Sequence, residues 1–211
     1  MTDNSAMAQF LNRLDYGRTE DSSLLKFYCI FQNSESGNIG TIQNMDIIVR
    51  NETPEDYKAI EEILCAAFPS DAESKVVNTL RANGHVTISL VAVGDGRILG
   101  HILFSPVHTH PPTPQKGLGL APMAVHADFR SHGIGSQLIR AGLQTCRDLQ
   151  YDYCVVLGSP KYYGRFGFEK ASMFNLQNEY GVDDEFMVTR FTTLPLGGLV
   201  KYSPEFALFS V

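Results

Sequence analysis

The chain has 211 residues, 44% hydrophobic and 19% charged, with a formal net charge of −6. That is ordinary globular composition, sized for one domain or one domain with an appendage around a sizeable core. The acidic balance argues against nucleic acid, which asks for a basic face.

Cys29, Cys65, Cys146 and Cys154 form no C-x-x-C pair and read as reduced, small apolar residues of a reducing compartment. The longest apolar run near the start, "LLKFYCIF", is broken by Lys26 and lacks a basic leader. It is too short to span a bilayer and is not a signal peptide. A cytoplasmic protein with no membrane partner is the expectation.

Residues 1–44 differ from the remainder: they are rich in Asn, Ser, Thr and Gly, and "QNSESGNIGTIQN" reads as linker. They are expected to be an N-terminal extension, either partly disordered or a docking segment built on "LLKFYCIF". The domain proper is expected over 45–211. Met45 opens "MDIIVR", a first strand. Thr53 then caps a helix with Pro54 at its first position and acids in its first turn. Tyr57, Ile60, Leu64, Ala67 and Phe68 keep helical spacing along it. A second helix covers roughly 72–82 and stops near Gly84.

"HVTISLVAV" and "RILGHILFSPV" are strands joined by "GDG", a hairpin signal. "HTHPPTPQKG" reads as a polar loop, and "LGLAPMAV" as a strand in which Pro122 demands a bulge or an unpaired edge. A long amphipathic helix, about 133–149, leads into the apolar strand "YDYCVVLG". Strand, helix and strand make a βαβ unit with a right-handed crossover. A short helix over "PKYYGRF" and two strands around "FMVTRF" and "GLVKYSPEF" close the domain. The fold class is α+β (α/β), with a mixed sheet of six or seven strands.

Between "MAV" and the long helix stands Arg130-Ser131-His132-Gly133-Ile134-Gly135. In a βαβ unit this loop brings free amides and the positive end of the helix dipole to the carboxyl edge of the sheet. Such a place suits an anion, and glycines let the backbone approach phosphate oxygens. The dinucleotide pattern G-x-G-x-x-G fails because Leu138 stands at its third glycine, and G-x-x-x-x-G-K-[ST] is absent. A plain tight turn is the other reading of the hexapeptide taken alone.

"LAPMAVHADFRSHGIGSQLI" resembles the acyl-CoA-binding motif of the GNAT N-acetyltransferase superfamily. "LGSPKYYGRFGF" is similar to the closing motif of a branch of uncharacterised bacterial N-acetyltransferases within it. With "GHILFSPV" and "VKYSPEF", the resemblance spans roughly 45–207. It implies a GNAT-like sheet whose parallel pair splays apart, flanking helices, and acetyl-CoA lying in the split. Its pyrophosphate would rest on the amides of Arg130, Ser131, His132, Gly133, Ile134, Gly135 and Ser136, and its pantetheine would pair with Met123, Ala124 and Val125.

The tyrosine four residues before the glycine of the final "GF" is, by the same resemblance, the acid beside the sulfur; here it is Tyr163. Tyr162 is expected to face the core, about 100° away on the short helix. Ser159-Pro160 departs from the asparagine many members carry there. The implied activity is transfer of acetyl to a primary amine of a small molecule or protein. A non-catalytic acyl-CoA sensor on the same fold is the alternative, and a homodimer is compatible with either.

The general base is not legible: His101, His108 and His126 fall near expected strand ends and could titrate in range. "HTH" offers too few ligands for a metal, and none is assigned. Asp183-Asp184-Glu185 reads as a solvated loop or a lining of the acceptor site.

Overall fold

The computed structural model describes residues 45–210, with side chains to 207, so the expected extension over 1–44 lies outside the described residues. Strand β1 (Ile48–Asn51) leads through a 3-10 turn (Pro54–Asp56) into α1 (Tyr57–Ala67) and α2 (Ala72–Ala82). Asp56 explains the tight start: its carboxylate accepts from the Thr53 N–H (2.7 Å) and pairs with Arg50 (2.6 Å), the box expected of an N-terminus that begins Thr-Pro. Ile60, Ile63, Leu64 and Ala67 form the buried stripe of α1. Tyr57 is outside it, 38% exposed, with the Arg81 guanidinium 4.1 Å over its ring.

β2 (Ile88–Gly94) and β3 (Arg97–His110) meet at a two-residue turn whose Asp95 and Gly96 are both left-handed, as the "GDG" signal requires. β3 runs further than expected: His108–His110, assigned to the loop from sequence, pair with β9 (Gly198–Lys201). β4 (Gly117–Val125), α3 (Ile134–Asp148) and β5 (Tyr153–Leu157) form the βαβ unit, with β4 and β5 parallel. Two residues of β4, Ala121 and Pro122, stand opposite the single Leu103 between the pairs Ile102–Met123 and Phe104–Leu120, which is the bulge Pro122 demands.

The chain then passes through α4 (Pro160–Tyr163), β6 (Glu169–Lys170), β7 (Leu176–Asn178), β8 (Phe186–Arg190) and β9. Sequence periodicity misses β6 and β7 because two- and three-residue strands leave no pattern to read. The order is β1-β2-β3-β4-β5-β8-β6, with β9 paired to β3 and β7, nine strands among the described residues.

Each face of this sheet buries its own cluster. α3 lays Ile134, Leu138, Ile139 and Leu143 against Ile102, Phe104, Leu118 and Leu120. α1 and α2 lay Ile60, Leu64, Val76, Val77 and Leu80 against Val91, Leu103 and Ala124 on the opposite face. Alternation along β3 and β4 sends successive side chains to these two sides.

Candidate active site

β4 and β5 pair only at Gly117–Tyr153, Leu118–Cys154 and Gly119–Val155. Past Gly119 they part, β4 continuing to Val125 and β5 to Leu157, so the carboxyl half of the parallel pair is split. β4 keeps β3 on its other side. There the His126 N–H donates to the Leu99 carbonyl (2.8 Å) and His101 stands opposite Ala124. Antiparallel alternation therefore turns Ala124 toward β3 and the backbone groups of Met123 and Val125 toward the split. The Val125 carbonyl is already engaged, accepting from Arg130 Nε (3.3 Å).

Beyond β4 a 3-10 turn (Ala127–Phe129) delivers the loop to α3. Ser131 (φ 64°) and Gly133 (φ 80°) are left-handed, whereas Gly135 already lies inside the helix. The first backbone bond at the helix start runs from the Gln137 N–H to the Gly133 carbonyl (3.0 Å). The amides of Ile134, Gly135 and Ser136 consequently have no carbonyl partner, and they sit at the positive end of a fifteen-residue helix. His132 Nδ1 lies 2.6 Å from the Arg130 carbonyl and fixes the loop from outside. Arg130, Ser131, His132, Gly133, Ile134, Gly135 and Ser136 thus form one continuous run of backbone from the end of β4 into α3, following Met123 and Val125, whose backbone faces the split, and Ala124, whose backbone faces β3.

Tyr163 stands at the carboxyl end of β5, on α4, whose turn is stopped by left-handed Gly167. Its ring is 1% exposed and packs over Gly158, where a Cβ would come within 2.3 Å of it. The Tyr162 ring meets it edge-on at 5.2 Å and carries the Arg165 guanidinium at 4.4 Å. The division expected of these two tyrosines, one to the split and one to the core, is not drawn by burial. Both belong to the cluster under α3, because a single turn capped by Phe166 and Phe168 has apolar neighbours on each side.

Of the three histidines, His101 is not at a strand end. It lies within β3, fully buried, with Nε2 2.8 Å from Ser89 Oγ and 3.4 Å from Glu52 Oε2. Burial pushes its pKa down, so it is a neutral, hydrogen-bonded core residue. Burial alone would raise the Glu52 carboxyl, but hydrogen bonds from His101, Arg81 and Ser89 outweigh it and hold it at about 2. His108 is exposed on β3 opposite Lys201, and His126 Nδ1 accepts from the Asp128 N–H (3.3 Å). Asp183 and Asp184 both pair with Lys170 Nζ at 2.7 Å on the surface, the solvated-loop outcome. Among the described residues no group of three His, Cys, Asp or Glu could hold a metal ion.

Sequence reasoning did not single out Ser105, Tyr153 and Tyr202, whose buried hydroxyls have no hydrogen-bond partner among the described residues and which lie along the paired stretch of β4. The alternating glycines of "GLGL" were the available signal, since glycine inside a strand marks a close approach.

Comparison with known proteins agrees with this geometry. The chain is 38% identical over 168 residues to the uncharacterized N-acetyltransferase YhbS of Escherichia coli K12, covering 77% of this chain and 100% of that one. The crystal structure of YhbS from Escherichia coli, a GNAT family N-acetyltransferase in complex with CoA, superposes with a TM-score of 0.73 at 36% identity, over 77% of this chain and 92% of that chain. A GNAT family acetyltransferase from Brucella melitensis in complex with acetyl-CoA gives 0.66 at 34% identity, over 76% and 98%. The acetyltransferase (GNAT) family model matches residues 57–168, from the first residue of α1 to the end of the "YYGRFGF" motif. The split parallel pair, the bare amides at the start of α3 and these matches together show that the chain belongs to the acetyltransferase (GNAT) family.

Proposed function

We propose that this protein transfers an acetyl group from acetyl-CoA to a primary amine of a small molecule or protein by direct attack. The observation that carries the reading is the run of unpartnered amides opening α3 beside the split between β4 and β5. Those amides and Arg130 suit a pyrophosphate, and the free edge at Met123 and Val125 suits the amides of a pantetheine arm. The CoA and acetyl-CoA complexes of the two similar proteins support this ligand.

A primary amine, with a pKa of ~10, sheds its proton before its lone pair can form the new C–N bond. The thioester carbonyl becomes an oxyanion, for which the Val125 N–H is the donor facing the split. Collapse re-forms the carbonyl and breaks the C–S bond while the nitrogen releases its second proton to solvent; the thiolate leaves and takes a proton, for which Tyr163, reprotonated from solvent, is our candidate donor. The cytoplasm is the compartment we infer, since Cys65, Cys146 and Cys154 are free thiols. No helix among the described residues is long and apolar enough to cross a membrane.

The test is release of CoA thiol from acetyl-CoA by the full chain with polyamines, amino acids, aminoglycosides and peptides. Amine-dependent release is expected with at least one class. CoA binding without amine-dependent release from any of them would overturn the proposal.

A further inference from the structure

Phe166 ends the 3-10 turn that follows α4 (Gly164–Phe166), and it carries two guanidinium groups. Arg140 of α3 and Arg165 of the turn itself each stand 5.4 Å from its ring centroid. No other ring among the described residues carries two. Sharing one ring limits the separation of the two guanidinium carbons to about 11 Å. Arg165 is held further by the Tyr162 ring at 4.4 Å and by its Nε, which donates to the Tyr162 carbonyl (3.2 Å).

Both arginines are exposed, so a solute reaches them. Neither forms an ion pair among the described residues, whereas Arg50 and Arg81 are committed to Asp56 and Glu52. The sequence explains this for Arg140. Ser136, Gln137, Leu143 and Gln144, its neighbours three and four residues away on α3, carry no charge. Glu169, the acid nearest to Arg165 along the chain, belongs to β6 and makes no ion pair with it. Two positive charges thus share one ring with no carboxylate between them.

Their place follows from helix geometry. Arg140 stands one turn beyond Ser136 on the same face of α3, about 6 Å further along the axis. Helical side chains lean toward the N-terminus, so the Arg140 side chain is directed back toward the bare amides of Ile134, Gly135 and Ser136. Phe166 brings Arg165 to it from the far side of the split, since α4 and its turn follow the carboxyl end of β5. With a pyrophosphate on those amides and the pantetheine running into the split, the adenosine end leaves in the other direction, over the exposed start of α3. Its 3′-phosphate hangs a few bonds from the pyrophosphate.

That phosphate is a monoester carrying about −1.5 to −2 charges at neutral pH. Guanidinium groups bind phosphate oxygens in pairs of N–H donors, and two of them on one phosphate have their carbons about 8 Å apart. The shared ring keeps Arg140 and Arg165 near that span, and their exposure lets the side chains close it.

We propose that Arg140 and Arg165, seated on Phe166, clamp the 3′-phosphate of CoA and make the protein select CoA over its 3′-dephospho form. The proposal rests on the acetyl-CoA reading above and names the residues that choose the form of the nucleotide.

The test is calorimetric titration of the full chain with CoA and with 3′-dephospho-CoA. Wild type should bind CoA roughly tenfold tighter or more. Arg140→Gln and Arg165→Gln should each weaken CoA several-fold and leave 3′-dephospho-CoA unchanged, and the double variant should bind the two alike. A merely structural role for either arginine would weaken both ligands equally. Arg147→Gln, which removes a guanidinium 4.9 Å from the Phe191 ring near the other end of α3, is the control and should keep the wild-type preference. Equal affinity of wild type for the two ligands, a preference undiminished in the double variant, or parallel losses of both ligands overturns the clamp and leaves the acetyl-CoA reading standing. No binding of either ligand overturns both.

Discussion

Gly119 lies beneath the Tyr202 ring so closely that a Cβ would stand 2.6 Å from Cε1 and 3.0 Å from Val107 Cγ1. Tyr202 is 9% exposed and wedged between Tyr180 and Phe206, with ring centroids at 5.8 and 5.4 Å, so it has little freedom to withdraw. Gly119→Ala is therefore expected to destabilise the fold by about 1–3 kcal/mol, the usual cost of overpacking. Urea denaturation measures it. Adding Tyr202→Leu should recover part of the loss; a Gly119→Ala protein as stable as wild type would show that the ring moves freely.

Gly133 is the position where the proposed phosphate loop depends on left-handed backbone. Its φ is +80°, and nothing lies within 4 Å of an added Cβ, so an alanine there suffers conformational strain alone. That strain is about 1–2 kcal/mol. Relaxing it would rotate the amides that open α3. Gly133→Ala should weaken CoA binding by roughly tenfold, the change ~1.4 kcal/mol produces, with only a small loss of melting temperature. Arg130→Ala should weaken it less, since the guanidinium is one contact among several. Calorimetric titration with CoA decides, and unchanged affinity in Gly133→Ala would reduce the loop to a turn.

Tyr163→Phe removes the proposed proton donor and keeps the ring over Gly158. If the hydroxyl serves the leaving thiolate, kcat falls while KM for acetyl-CoA changes little. Falls of ~10² to 10⁴ are common for a general acid, and roughly tenfold is enough here because CoA leaves reasonably well unaided. Tyr162→Phe is the control and should turn over nearly as wild type. Because both rings are buried, melting curves must accompany the rates. Unchanged kcat in Tyr163→Phe, with chemistry rate-limiting, removes the assignment.

Glu73 is a buried carboxylate to which no other residue donates a hydrogen bond, whereas Glu52, Asp56 and Glu205 are all bonded to other side chains. Burial, with a smaller push from Asp71, raises its pKa from 4.5 to about 6. The unfolded chain releases this proton more readily than the folded one. Stability is therefore complete below about 4.5 and declines as pH rises through about 6, by about 2 kcal/mol for this group. Glu73→Gln should lose that dependence. The stability difference between variant and wild type should grow in favour of glutamine between pH 4.5 and 7.5, measured by urea denaturation at both. A constant difference would mean Glu73 finds a partner.

A chain beginning at Met45 is expected to fold and to bind CoA, because the βαβ unit and both core clusters lie downstream. Met45 itself must be kept. It packs with Ile47 against the cluster under α3, and a Cβ on Gly94 would stand 2.5 Å from its sulfur. Circular dichroism and CoA titration of the shortened protein measure this; insoluble or unfolded material would give residues 1–44 a part in the core.

The sequence by itself determined the local features. Asp95-Gly96 specified a hairpin, Pro122 a bulge, and Gly133 the turn into an amphipathic helix. Each follows from constraints a few residues long: allowed φ, a missing N–H, an apolar period of 3.6. The order strand, helix, strand then sufficed to place the start of α3, the proposed anion-binding end, because a crossover helix begins at the carboxyl edge of its first strand.

Contacts between distant segments were decided only by tertiary structure. His101 reads as a titratable residue near a strand end until Glu52, Ser89 and Arg81, brought in from just after β1, from β2 and from α2, close around it. Tyr153 and Tyr202 are unremarkable in the chain; only the folded sheet seats their rings on the bare backbone at Gly117 and Gly119. Burial and hydrogen-bond partnership are properties of the packed whole, so no local pattern encodes which polar group is satisfied and which is left unpaired.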